Sequence, residues 1–208
     1  MLRNSKDRFG TVTIVLHWTI AVLILGLLLT GLVMRRTEID PALQFSLYQW
    51  HKSFGFIALG LAALQALRWL VERSPAPPPT LGPMEQMASR AAHLSLIALA
   101  LLVPLAGWAV ASASTLAIPS FFFNLIVIPH LPLPRSETSE AFFALAHATL
   151  AYATLALVAV HAAAAIYHHF LGRDEVLVRM LRSGSAPRPD STISAPEKDD
   201  TLVERKRR

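Results

Sequence analysis

Apolar residues run along this chain in four long blocks, with no strand-like alternation. The blocks span residues 12–34, 48–71, 91–112 and 141–171. Each meets or approaches the ~20 residues that a helix needs to cross a bilayer core. The first and fourth contain no Asp, Glu, Lys or Arg, and the second carries Lys52 and Arg68 only near its ends. A helix that is apolar all round belongs in a membrane or a large core. The pattern therefore predicts an all-α integral membrane protein built as a four-transmembrane-helix bundle. The first block is too long for a signal-peptide core, and no small-residue cleavage site follows it, so it is expected to be retained.

The polar positions between the blocks orient the bundle. With four spans both termini share one side. Fifteen lysines and arginines flank the blocks on that side, whereas Arg35, Arg36, Lys52 and Arg135 lie on the other. The positive-inside rule then places both termini in the cytoplasm. The inner connection, residues 74–83, is rich in proline and reads as a stiff, extended linker. The outer connection, residues 113–140, holds the apolar run Phe121, Phe122, Phe123, Leu125, Ile126, Val127 and Ile128 between prolines. It is too short to span and too apolar to be freely solvated, so it is expected to cap the outer face. Residues 1–182 read as one membrane domain. Residues 183–208, rich in Ser, Pro and charge, read as a disordered cytoplasmic tail near the anionic inner leaflet.

Composition narrows the chemistry. Only 16% of the 208 residues are charged, and there is no cysteine. Disulfides, thiolate metal sites and iron–sulfur clusters are thereby excluded. The net charge of +5 is spread around the apolar blocks and does not form one basic surface, which argues against nucleic acid as a partner and for membrane lipid.

The histidines change the picture most. Of eight, His17, His51, His93, His147, His161 and His168 fall within or at the ends of the blocks, which hold no Asp or Glu. A lone membrane histidine ordinarily makes an interhelical hydrogen bond worth ~0.6 kcal/mol. Here there are several, at matched depths and without carboxylates. That donor set excludes carboxylate-bridged di-metal sites and suits the axial ligation of haem iron. His147 and His161 are fourteen residues apart, about four turns and ~21 Å along one helix, so they share a face. One ligand in each leaflet is what two stacked haems b in the bundle core require. Depth pairs His51 with His147 on the outside and His17 with His161 on the inside. His93 lies at the inner depth too, and spacing alone leaves it competing with His17. Gly55, Ala21, Ala151 and Ala165 follow the four histidines by one turn and leave room beside them.

At these residues the chain resembles the bacterial cytochrome b561 family, which is related to the cytochrome b subunits of nickel–iron hydrogenase and formate dehydrogenase. The motifs are His17-Trp18, then His51-Lys52-Ser53-Phe54-Gly55, then Pro104-Leu105-Ala106-Gly107-Trp108, and finally His147, His161 through Ala165, and His168-His169. The resemblance implies two haems b with His17, His51, His147 and His161 as axial ligands, and so favours His17 over His93. It also implies a function: small members oxidise superoxide outside the inner membrane and reduce ubiquinone. In that reading His168, with His93 and Arg68 as weaker candidates, belongs to the quinone site. Arg35, Arg36 and Lys52 attract superoxide or hold haem propionates. The alternative is an electron-transfer subunit linking quinone to a periplasmic dehydrogenase or cytochrome.

Overall fold

The computed structural model describes residues 2–6, 8–35, 38–72, 74–78 and 80–182. Arg36, Arg73, Pro79 and the tail at 183–208 lie outside these residues. Four long helices dominate: α1 (Thr11–Met34), α2 (Pro41–Val71), α3 (Pro83–Ala113) and α4 (Glu137–Phe170). All four are long and apolar enough to cross a membrane. A short α5 (Val176–Leu181) follows α4.

The helices begin earlier than the apolar blocks do. Asp40 accepts hydrogen bonds from Ala42 N and Leu43 N, both at 3.0 Å, with Pro41 at the first helical position. Glu85 Oε2 accepts from Gly82 N at 2.8 Å ahead of Pro83, and Ser136 Oγ accepts from Ser139 N at 3.1 Å. Capping chemistry sets where a helix starts, whereas bilayer thickness sets only how much of it is apolar. A 31-residue helix such as α2 is ~46 Å long, more than a ~30 Å hydrocarbon core requires.

Backbone packing follows chain order, α1 on α2, α2 on α3 and α3 on α4. Most of the buried apolar residues are small, Ala58, Ala62, Ala109 and Ala113, with Leu16 and Met34 beside them. Large apolar side chains such as Val22, Leu29 and Leu70 face outward, as expected of a lipid-facing surface. The connection after α2 is tied back to the N-terminal segment by Ala76 N donating to Lys6 O at 2.9 Å.

The expectation of an all-helical chain needs one correction. The apolar connection between α3 and α4 contains a two-stranded antiparallel hairpin, β1 (Ser120–Phe122) and β2 (Ile126–Ile128). Its turn places Phe123 and Asn124 at φ +49° and +59°, with Leu125 N donating to Phe122 O at 3.0 Å. Two successive left-handed residues are what a tight hairpin turn demands. Asn tolerates this and Phe does so at a cost. Phe123 offsets that cost by packing edge-on against Trp50 and Phe54, at ring separations of 5.5 and 5.2 Å.

The hairpin is stapled to α2. The hydroxyl of Ser53 lies 2.9 Å from both Gln49 O and Phe121 O and accepts from Phe123 N at 3.0 Å. Gln49 Oε1 accepts from Phe121 N at 3.3 Å, and Lys52 Nζ donates to Pro119 O at 3.3 Å. On the other flank Trp108 Nε1 donates to Pro129 O at 3.0 Å, and Ser112 Oγ accepts from Leu131 N at 2.9 Å. Ser53→Ala leaves the part-buried Phe123 amide without its acceptor, a loss of about 1 kcal/mol. The expected result is faster protease cleavage at the hairpin with the helices intact. Unchanged cleavage would show that the staple contributes nothing.

Candidate functional site

The histidines predicted to pair do meet. At the hairpin end of the bundle, His51 of α2 faces His147 of α4 with ring centres 6.3 Å apart. At the other end, where α1 begins and α4 ends, His17 of α1 faces His161 of α4, also at 6.3 Å. His93 of α3 lies at this second end as well, 5.1 Å from His161 and nearly perpendicular to it. His17 and His93 therefore both lie beside His161, where sequence left the two competing for one partner.

The hairpin-end pair borders a cavity of about 750 Å³. That is within the ~300–1,000 Å³ typical of cofactor clefts. The α3 wall includes Leu99, Ala100, Val103, Pro104 and Gly107, at the i, i+3 and i+4 spacing of one helix face. Gly55 and Ala151, predicted to leave room beside their histidines, both line the cavity, and a Cβ built on Gly55 would meet nothing within 4 Å.

The orientation of His147 is set by α3. Its Nδ1 donates to Val103 O at 2.9 Å. A carbonyl only accepts, so Nδ1 carries the proton and Nε2 keeps its lone pair for a ligand. The ring can lie there because position 107 has no side chain: a Cβ on Gly107 would sit 3.0 Å from His147 Cε1 and 3.2 Å from Nδ1. Gly31 serves His51 more loosely, at 3.6 Å from Cε1. His51 Nδ1 is buried with no hydrogen-bond partner among the described residues.

The charged candidates divide. Arg35 and Lys52 line the cavity, together with Glu140. Lys52 is also held by the Pro119 carbonyl. Arg36 lies outside the described residues. Arg68 Nη2 is engaged by Thr13 Oγ1 at 3.0 Å and Glu72 Oε2 at 2.7 Å, and His93 Nδ1 by Ser89 O at 2.7 Å. His168 Nδ1 donates to Asp174 Oδ2 at 2.7 Å. Sequence reasoning missed Asp174 and had no role for Gly107 or Gly31. Gly107 stood inside a quoted motif, but its purpose depends on a ring from another helix.

The family model for prokaryotic cytochrome b561 matches residues 8–183. The chain belongs to that family. It is also 27% identical over 183 residues to cytochrome b561 homolog 2 of Escherichia coli (strain K12), covering 88% of this chain and 96% of the relative. Membership makes this b561 cytochrome a bacterial membrane protein of transmembrane electron transfer that binds haem b. The residues present fit that group. Two pairs of imidazoles face one another across the bundle in a chain without cysteine, and a mainly apolar, glycine-walled cavity of cofactor size, with Glu140 as its one carboxylate, adjoins one pair.

Proposed function

We propose that this b561 cytochrome holds two haems b, one between His51 and His147 and one between His17 and His161, and carries electrons from an outer donor to a quinone. The observation behind this reading is the repeated ring separation of 6.3 Å in two pairs that use α4 fourteen residues apart. A metal atom bonded to two imidazoles at about 2.0 Å sets their ring centres roughly 6 Å apart. The 5.1 Å between His93 and His161 leaves less room than that, which supports His17 as the partner of His161. When bound, haem supplies the one-electron redox chemistry. The chain's own residues set its ligation and surroundings, with the Val103 carbonyl fixing the His147 ring.

The asymmetry of lysine and arginine supports termini in the cytoplasm and the hairpin outside. Superoxide is then the donor this face suits, because it is a small anion and Arg35 and Lys52 raise its local concentration at the cavity rim, with Arg36 beside them in sequence. At the cytoplasmic end, His168 is the residue for ubiquinone, while Arg68 and His93 are engaged elsewhere. The exposed apolar tip Leu125, Ile126 and Val127 favours a second reading, in which a periplasmic dehydrogenase or cytochrome docks outside and supplies the electrons.

Purified protein is expected to contain two haems per chain and, given superoxide and ubiquinone alone, to form ubiquinol. A requirement for an added soluble protein supports the second reading. A single haem per chain, or no spectral change on reduction, would overturn both.

A further inference from the structure

The end of α4 carries a contact that no motif announces. Asp174 has a side chain only 4% exposed, yet it is a carboxylate. Removing a carboxylate from water is unfavourable unless its oxygens find donors. One oxygen receives His168 Nδ1–H at 2.7 Å, and the other receives Val176 N at 3.0 Å at the start of α5.

The intervening turn is built for this approach. Asp174 N donates back to His168 O at 3.1 Å. Arg173 sits at φ +50°, a region that L residues adopt at a cost. A Cβ on Gly172 would lie 3.0 Å from His168 O and 3.4 Å from Asp174 Oδ2. Strain and close approach are thus concentrated where they serve one imidazole–carboxylate contact.

The same segment is tied to the residue beside His17. Trp18, whose ring meets His17 edge-on at 5.5 Å, donates its indole N–H to Met180 O at 2.8 Å. Arg8 pairs with Glu175 at 3.3 Å, and Arg179 Nη1 donates to Ala76 O at 2.8 Å. Three separate parts of the chain therefore hold this segment in place.

We propose that Asp174 is a positioning residue that holds His168 as the proton donor to the quinone; this rests on the reading that quinone is reduced at this end. With Nδ1–H given to Asp174, Nε2 is the ring edge available to a ligand. Reducing a quinone to a quinol takes two electrons, arriving along the transmembrane path, and two protons. His168, its Nδ1–H held by Asp174, first takes a proton onto Nε2 from water at the cytoplasmic face and becomes an imidazolium. It then gives that Nε2 proton to a quinone oxygen, so an N–H bond breaks as an O–H bond forms and the ring returns to neutral. The second proton follows the same route. Asp174 keeps its contact with Nδ1–H throughout and holds the ring in one orientation.

Full-length protein carrying its haems in lipid nanodiscs tests this. Asp174→Asn and Asp174→Ala are expected to lower kcat for ubiquinone reduction by about 10- to 100-fold with KM within about twofold. Both should increase the ratio of rates in H2O and D2O and leave the haem spectrum and ferricyanide reduction unchanged. Asp174→Glu should recover part of the rate. Ubiquinone turnover within about twofold of the parent in Asp174→Asn, or a parallel loss of ferricyanide reduction, would overturn the proposal. A parent that reduces ferricyanide but no quinone would instead overturn the quinone reading beneath it.

Discussion

His147→Ala is expected to remove one of the two haem centres proposed above and to lower electron transfer across the bilayer by at least about 100-fold. The ring is the α4 contribution to the hairpin-end pair, and its facing partner is His51 at 6.3 Å. Alanine at 147 also removes the hydrogen bond to the Val103 carbonyl that oriented the ring. The centre at the other end keeps both its imidazoles, so haem per chain should fall by half and the remaining reduced-minus-oxidised spectrum should be that of one centre. His51→Ala should give the same spectrum. His17→Ala and His161→Ala should give the complementary one, and His93→Ala should keep both centres. Retention of both in His147→Ala, or loss of one in His93→Ala, would contradict the pairing.

Gly107→Val should abolish the same centre without touching a ligand. An added Cβ already lies 3.0 Å from His147 Cε1 and 3.2 Å from Nδ1, tighter than ordinary contact, and valine adds two methyl groups at that position. Helix α3 cannot withdraw far, because it packs on both α2 and α4. The ring must therefore move, and its bond to Val103 goes with it. Overpacking of this kind costs about 1–3 kcal/mol, and the lost hydrogen bond about 1 kcal/mol more. Gly107→Ala asks for a shift of only tenths of an ångström and should weaken the centre without removing it. Gly55→Val separates crowding of a histidine from filling of the cavity: its Cβ meets nothing within 4 Å, so the protein should melt normally by circular dichroism yet bind less haem at the hairpin end. If Gly107→Val kept a normal hairpin-end centre, the role assigned to that glycine would be wrong.

The readable features of this chain are those set by local pattern. Apolar blocks announced the four helices, and the fourteen-residue step from His147 to His161 put two imidazoles on one face of α4. The helix starts were less visible, because Asp40, Glu85 and Ser136 act through hydrogen bonds to backbone amides beyond the apolar blocks. The hairpin was missed for a different reason. Residues 120–128 are apolar without alternation, and the Phe123-Asn124 turn relies on Trp50 and Phe54 to stabilise a left-handed phenylalanine. A turn signal did exist, in an Asn between two short apolar runs.

Composition and periodicity alone determined that this is a four-span membrane chain with histidines at two depths, since length, hydropathy and helical repeat are properties of a single segment. Tertiary structure decided the rest. It brought His17 and His93 to different distances from His161, laid His147 against Gly107 and Val103, and folded Asp174 beneath His168. Those relations depend on how helices rotate and approach one another, and that is settled by packing between segments far apart in the chain.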